Sequence, residues 1–245
     1  MQSLSLRSVS VSYGNKPVLQ NIDLDIPSGE IVCLIGASGC GKSTLLNVVA
    51  GLVPASAGQV ELAGHQVTGP GSDRVMVFQD DAVFPWMTVQ QNVEYGLRIQ
   101  GIPKPKRRGI AEEKIRQVEL TGWEDAFPRQ LSGGMRKRVD LARALAVTPR
   151  VILMDEPYGA LDAMTKERLQ KQFLDVCKQS GATALFVTHD LEEALFLGDR
   201  VVVLGRNPGH IAEILDVPFG TARDVAIKRD PDFQALRGHL NDLIH

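Results

Sequence analysis

The segment Gly36-Ala37-Ser38-Gly39-Cys40-Gly41-Lys42-Ser43-Thr44 holds the residue types that a phosphate chain needs, at a workable spacing. Glycines let the backbone curl so that successive N–H groups point inward at phosphate oxygens. Lys42 adds a point charge suited to β- and γ-phosphates, and the Ser43 hydroxyl is a ligand for Mg²⁺. A second cluster is Asp155-Glu156, directly after the apolar run Val151-Ile152-Leu153-Met154. An apolar strand that stops at two acids places them at its carboxyl tip, the edge where parallel sheets bind ligands. There Asp155 would hold Mg²⁺ together with Ser43, and Glu156 would face the attacking water as general base or orienter. His189 follows the run Ala184-Leu185-Phe186-Val187 and reaches the same edge, near a γ-phosphate or its water. Gln79 ends the run Val75-Met76-Val77-Phe78, and its amide is suited to sensing Mg²⁺ or the attacking water.

These groups need elements to hold them. The apolar run Ile31-Val32-Cys33-Leu34-Ile35 precedes the glycine-rich loop, and Leu45-Leu46-Asn47-Val48-Val49-Ala50 follows it. Strand, loop and helix in that order form the context of a P-loop, with the positive helix end under the phosphates. The first sixty-odd residues read as β-structure, with Ile22, Leu24 and Ile26 alternating with Asp23 and Asp25. From Thr88 to about Arg150 the period turns helical; Ile110, Ile115, Val118 and Leu120 mark one helix, with Gly122 as its stop. Another is expected from Ser132 through Ala146, and a crossover helix from Ala163 to Ser180. The strands at 151–154, 184–187 and 201–204 are continuously apolar, as parallel strands covered on both faces must be.

With these residues in place, the chain resembles the ATP-binding-cassette ATPases. Leu131-Ser132-Gly133-Gly134-Met135 is similar to their signature motif, and Tyr13 to their adenine-stacking aromatic. Gln79 matches the Q-loop glutamine, Asp155-Glu156 the Walker B acids, Ala160-Leu161-Asp162 the D-loop and His189 the switch histidine. The resemblance covers nearly the whole chain, to at least about Gly205. It implies an α/β P-loop NTPase core: a mainly parallel sheet flanked by helices, an N-terminal antiparallel β subdomain and an inserted α-helical subdomain. The implied division is one domain, 1–245. Its core with the β subdomain occupies 1–87 and 150–220, the helical subdomain with the signature motif 88–149, and a short C-terminal tail 221–245.

The resemblance also implies roles. ATP would contact Tyr13 and the whole 36–44 loop, and Mg²⁺ would meet Ser43, Gln79 and Asp155. Glu156, His189, Lys42 and Gln79 would be the catalytic groups. Ser132 is a natural N-cap whose helix start makes a second phosphate site. Two such sites suit the family's head-to-tail homodimer, in which Ser132, Gly133 and Gly134 of one copy close over triphosphate held by the other, with Asp162 at the same interface. Met135 departs from the family's usual Gln or Glu, which puts affinity in the closed dimer in question. Arg136-Lys137-Arg138 opposes the helix dipole, a cost that phosphate would offset in the dimer.

Phe84-Pro85-Trp86-Met87-Thr88-Val89-Gln90-Gln91-Asn92-Val93 is similar to a segment of the nitrate, sulfonate and taurine importer group. Phe84 and Trp86 would then edge a groove that receives a short helix from a membrane subunit. The implied assembly is an importer with separate permease subunits and, indirectly, a solute-binding protein. It would sit peripherally on the cytoplasmic face of the inner membrane. Net charge is −2, so no bulk basic field favours nucleic acid. No apolar run approaches about 18 residues, the length of a membrane span, and no export signal is expected at the N-terminus. Three cysteines without CxxC spacing suit a reducing cytosol. Cys33 reads as core, whereas Cys40, beside Lys42 at a helix start, is expected to carry an acidified, oxidation-sensitive thiol. A soluble cassette acting on DNA or ribosomes would keep every ATP motif, but would usually carry two cassettes, a long coiled-coil insert or a basic surface. A GTPase would need an Asn-Lys-x-Asp base reader, and Asn15-Lys16-Pro17-Val18 lacks the aspartate.

Overall fold

A computed structural model describes residues 4–80, 82–159, 161–220 and 223–244. Ala160 of the D-loop motif and residues 221–222 of the expected tail lie outside the described residues. In chain order the elements are β1 (Leu4–Tyr13), β2 (Lys16–Ile26), β3 (Ile31–Gly36), α1 (Lys42–Ala50), β4 (Ala57–Leu62), β5 (His65–Gln66) and β6 (Arg74–Val77). The helical insert follows with α2 (Val89–Ile99), α3 (Lys104–Gln117) and α4 (Gly133–Ala146). The chain then returns through β7 (Val151–Asp155), α5 (Ala163–Ser180), β8 (Thr183–Val187), α6 (Leu191–Leu197), β9 (Arg200–Gly205), β10 (His210–Asp216) and α7 (Pro231–Ile244).

Two sheets organise these elements. One is antiparallel with order β2-β1-β4-β5, and the other has order β10-β9-β3-β8-β7-β6. In the second sheet all neighbours are parallel except the β9–β10 hairpin. β3, β7 and β8 are buried on both faces, their side chains alternating across the pleat. Cys33, Ile35, Ile152, Met154, Ala184 and Phe186 enter one core, with the helices of the insert, α5 and α6. Val32, Leu34, Val151, Leu153, Leu185 and Val187 enter the other, with α1 and the antiparallel sheet. Continuous apolar runs in the sequence are the direct result. Leu4, Leu6, Ile22, Leu24 and Ile26 point from β1 and β2 into that second core, leaving Asp23 and Asp25 in water.

Three local departures from the sequence reading have physical causes. α3 ends at Gln117 rather than near Gly122, because Glu119 turns left-handed at φ 58° and Leu120 folds back to donate to Ile115. β10 is an edge strand with alternating half-exposed residues, a pattern too polar to read as core. The expected tail contains α7, which buries Phe233 and Leu240 against the α6 side of the sheet. Arg223 seals this join from a buried position: its guanidinium donates to the carbonyls of Gly220, Leu195, Phe196 and Gly198 and to Asp199. Burial lowers its pKa, opposed by the Asp199 charge.

Within the insert, Thr88 and Gln91 form a reciprocal capping box at the start of α2. Asn92, fully buried, accepts from the Phe84 N–H at 2.8 Å and donates to the carbonyls of Phe84, Met87 and Thr88. One amide thus holds the loop that carries Phe84 and Trp86.

Phe186 sits in the core between the rings of Tyr158 and Phe173, at centroid distances of 5.7 and 6.1 Å. Phe186→Ala is expected to destabilise the fold by about 3–5 kcal/mol, through lost burial and an unfilled cavity, as read by urea unfolding.

Candidate active site

The 36–44 loop leaves β3 in the middle of the parallel sheet and enters α1. Glycine is required at two points of the turn. Gly36 has φ 148° and a Cβ there would lie 2.6 Å from the Leu204 carbonyl oxygen. Gly41 has φ 105° and a Cβ there would meet Leu19 at 2.6 Å. No side chain caps the N-terminus of α1, so its first N–H groups face the concavity of the loop. Lys42, almost fully buried, curls over this concavity and donates to the carbonyls of Gly36 at 2.8 Å and Ala37 at 3.2 Å. Cys40 lies beneath the loop, 2% exposed, with Sγ 3.9 Å from the Lys42 ammonium. Burial counts against the expected oxidation-sensitive thiol: the side chain is packed into the core.

β7 delivers Asp155 and Glu156 to the same edge. Asp155 is buried, and its carboxylate shares a hydrogen bond with the Ser43 side chain. Burial raises its pKa above the usual carboxylate range; the Ser43 bond and the charges of Lys42 and Lys137 pull it down, and Glu156 pushes it up. Glu156 has φ 45°, a left-handed conformation unusual for a residue with a side chain, and its N–H bonds the Val187 carbonyl at 3.0 Å. That turn breaks the strand direction and aims the carboxylate along the sheet edge. Glu156 Oε2 lies 3.2 Å from His189 Nδ1 and accepts from Gln79 Nε2 at 3.4 Å. Glu156, His189 and Gln79, far apart in sequence, thus meet at one carboxylate oxygen.

His189 is held from behind. Asp190 N-caps α6 by accepting from the N–H groups of Glu192 and Glu193. Lys166, on the first turn of α5, pairs with Asp190 at 2.8 Å and with the buried Glu193 at 3.1 Å. Gln170 donates to Glu193 at 2.8 Å. α5 itself starts at Asp162, whose carboxylate accepts from Thr165 N–H, a bond that keeps its pKa low. The Asp162 helix and the His189 helix are therefore locked together by Lys166. Sequence reading missed this network; the signal was a lysine one turn beyond an N-cap aspartate.

The signature residues stand apart. Ser132 Oγ accepts from Met135 N–H at 3.3 Å, and α4 makes its principal contacts with α2, α3 and β6 rather than with α1. Gly134 approaches Leu161 closely enough that a Cβ would lie 3.2 Å from the leucine methyl. Gly134 of the signature motif and Leu161 of the D-loop motif are thus neighbours within one chain. Met135 is half-buried against the helical core, which explains how a thioether is accommodated. The run 136–138 turns largely inward: Arg136 donates to Leu131 O, Lys137 to Phe78 O and Gln79 O, and Arg138 to Val118 O and Glu119 O. Tyr13 ends β1 at the hairpin with its ring 55% exposed.

A phosphate-binding loop, two strand-tip carboxyl groups and a histidine on one sheet edge define a P-loop nucleoside triphosphatase with a helical insert. The ABC transporter family model matches residues 19–159. The taurine import ATP-binding protein TauB of Escherichia coli K12 is 44% identical over 243 residues, covering 97% of this chain and 95% of TauB. A dimeric post-hydrolysis structure of the ATP-binding cassette MJ0796 with ADP and Pi superposes with a TM-score of 0.79 at 31% identity, covering 89% of this chain and all of that one. A second dimeric MJ0796 structure gives 0.81 at 32% identity, with the same coverage. The chain belongs to the ABC transporter family, as one of its ATP-binding, ATP-hydrolysing cassettes.

Lys166→Met is expected to cost about 1–2 kcal/mol at neutral pH, because it strips charge from Asp190 and the buried Glu193, with a discount for partial exposure. Partners including Lys166 hold the Asp190 pKa below its ordinary value despite burial. Its stabilising contribution is complete above that ordinary value, about pH 4, and is lost as pH falls through the lowered one. Urea unfolding followed downward from pH 7 should therefore show the gap between variant and parent narrowing in acid.

Proposed function

We infer that this cassette powers an importer for a small sulfonate-type anion such as taurine, working as a head-to-tail homodimer on separate permease subunits. The observation that carries the hydrolytic part is the Glu156 carboxylate held between His189 and Gln79 at the edge that also bears the phosphate loop. The solute class is supported by the 44% identity to TauB.

In this reading Lys42 leaves its carbonyl partners for the β- and γ-phosphates, joined by the loop N–H groups, while Tyr13 stacks on adenine. Ser43 and Asp155 suit Mg²⁺: a hydroxyl and a buried carboxylate already share a hydrogen bond, and Mg²⁺ in nucleotide sites takes few protein ligands. When bound, the ion would offset charge on the phosphate oxygens, with Gln79 as the third residue toward it. Glu156 orients the water that attacks the γ-phosphorus and accepts its proton as the bond to ADP breaks. His189 and Gln79 keep the carboxylate aimed. Ser132, Gly133 and Gly134 of the second copy close over the triphosphate, with Asp162 beside them. Support for this arrangement in trans is the separation of α4 from α1 within one chain.

Among the described residues no helix is long and apolar enough to cross a membrane, in keeping with separate permease subunits. Their docking place is the cleft of about 620 Å³ lined by Trp86, Gln90, Tyr95, Arg98 and Arg107. Trp86 is 69% exposed there, its ring tilted against that of Phe84 at a centroid distance of 5.7 Å. An exposed aromatic anchored by a buried amide is the kind of group that dominates interfaces.

Glu156→Gln should keep ATP binding and lose about 10²–10³ in turnover, the usual scale for one preorganised contact. Steady-state phosphate release and size-exclusion chromatography with ATP check this. The variant should accumulate as a nucleotide-bound dimer, and near-parental turnover would overturn the role.

A further inference from the structure

Lys137 lies in the first turns of α4 and is only 5% exposed. Its ammonium donates to the Phe78 carbonyl and, at 3.0 Å, to the Gln79 carbonyl. Those carbonyls come directly after β6, the outermost strand of the parallel sheet. The neighbouring β7 has already turned away through the left-handed Glu156. Carbonyls that the ladder no longer serves are thus served by a cation from the helical insert. A buried ammonium is costly unless well partnered, so this placement is specific. The same charge is felt at Asp155, which places Lys137 close to the acidic edge.

We propose that Lys137 is a positioning residue that fixes the Gln79 backbone to the signature helix, so that the reach of the Gln79 amide onto Glu156 is set by where α4 stands. The helix that begins at Ser132 has two functions in this arrangement. Its N-terminus faces the second copy, and one turn later it grips the glutamine of its own site. The 3.4 Å contact of the Gln79 amide with the Glu156 carboxylate therefore starts from a main chain held by α4. The inference rests on the proposed roles of Gln79 and Glu156, and adds to them Lys137 as the group that holds the Gln79 main chain in place.

The test uses the full-length chain and four variants: Lys137→Met, Lys137→Arg, Gln79→Ala and the double Lys137→Met/Gln79→Ala. Lys137→Met should lower kcat about tenfold, the scale of a small misplacement. KM for ATP and the Kd for a fluorescent ATP analogue should stay within about twofold. Lys137→Arg, which keeps a charged donor, should recover most of the lost rate. In the Gln79→Ala background the methionine should cost less than about twofold more, because both changes break one linkage. If Lys137→Met does not fold by thermal melting, Lys137→Gln takes its place in the same cycle. A folded, fully active Lys137→Met would overturn the proposal, as would losses that multiply in the double variant. Glu156→Gln measured alongside reports separately on the hydrolytic role: an active Glu156→Gln with a non-additive Lys137/Gln79 cycle would sink that role and leave the linkage standing.

Discussion

Three neighbouring strands, β3, β8 and β7, bury both faces in apolar cores, so polar chemistry can surface only at their ends. At the carboxyl ends the chain must leave the sheet, and each exit is made by a different device. β3 leaves through glycines that uncover main-chain N–H groups. β7 leaves through a left-handed glutamate, and β8 through Thr188 into the N-cap of α6. Because the register locks Asp155 opposite Val187, these exits lie side by side and their side chains converge. The alternation of apolar residues in the two cores is therefore what sets the distances among the polar groups at this edge.

The charges around this edge form two linked sets. On one side the Glu156 carboxylate is shared by a histidine and an amide. On the other, Lys166 draws Asp190 and Glu193 together and braces the helix behind His189. α5 carries this brace back to Asp162, so the residue proposed to meet the second copy and the histidine beside the carboxylate share one rigid support. Packed helices and ion pairs of this kind move as units rather than bending continuously.

Much of this was legible in the sequence because it depends on local rules. The 36–44 loop declares itself through glycine spacing and its flanks, and the parallel strands through unbroken apolar runs. The N-cap Ser132 stands where its helix begins. What stayed hidden depends on contacts between distant segments. Lys137 belongs to a cationic run, and its local context suggests conflict with a helix dipole; its partners, Phe78 and Gln79, are nearly sixty positions away. Cys40 sits beside a lysine, which argues for reactivity, until the antiparallel sheet is seen to cover it. α7 follows a polar stretch with weak periodicity, and only the hydrophobic surface of α6 gives its Phe233 and Leu240 a place to go.

Arg223 has a practical bearing on how the chain can be cut. Five oxygens from α6, its following turn, Asp199 and Gly220 converge on that one guanidinium. Shortening the polypeptide upstream of it would strand four carbonyl groups and a carboxylate without their donor, at the rear of the helix whose front bears His189. The segment around Arg223 is thus a keystone for α6.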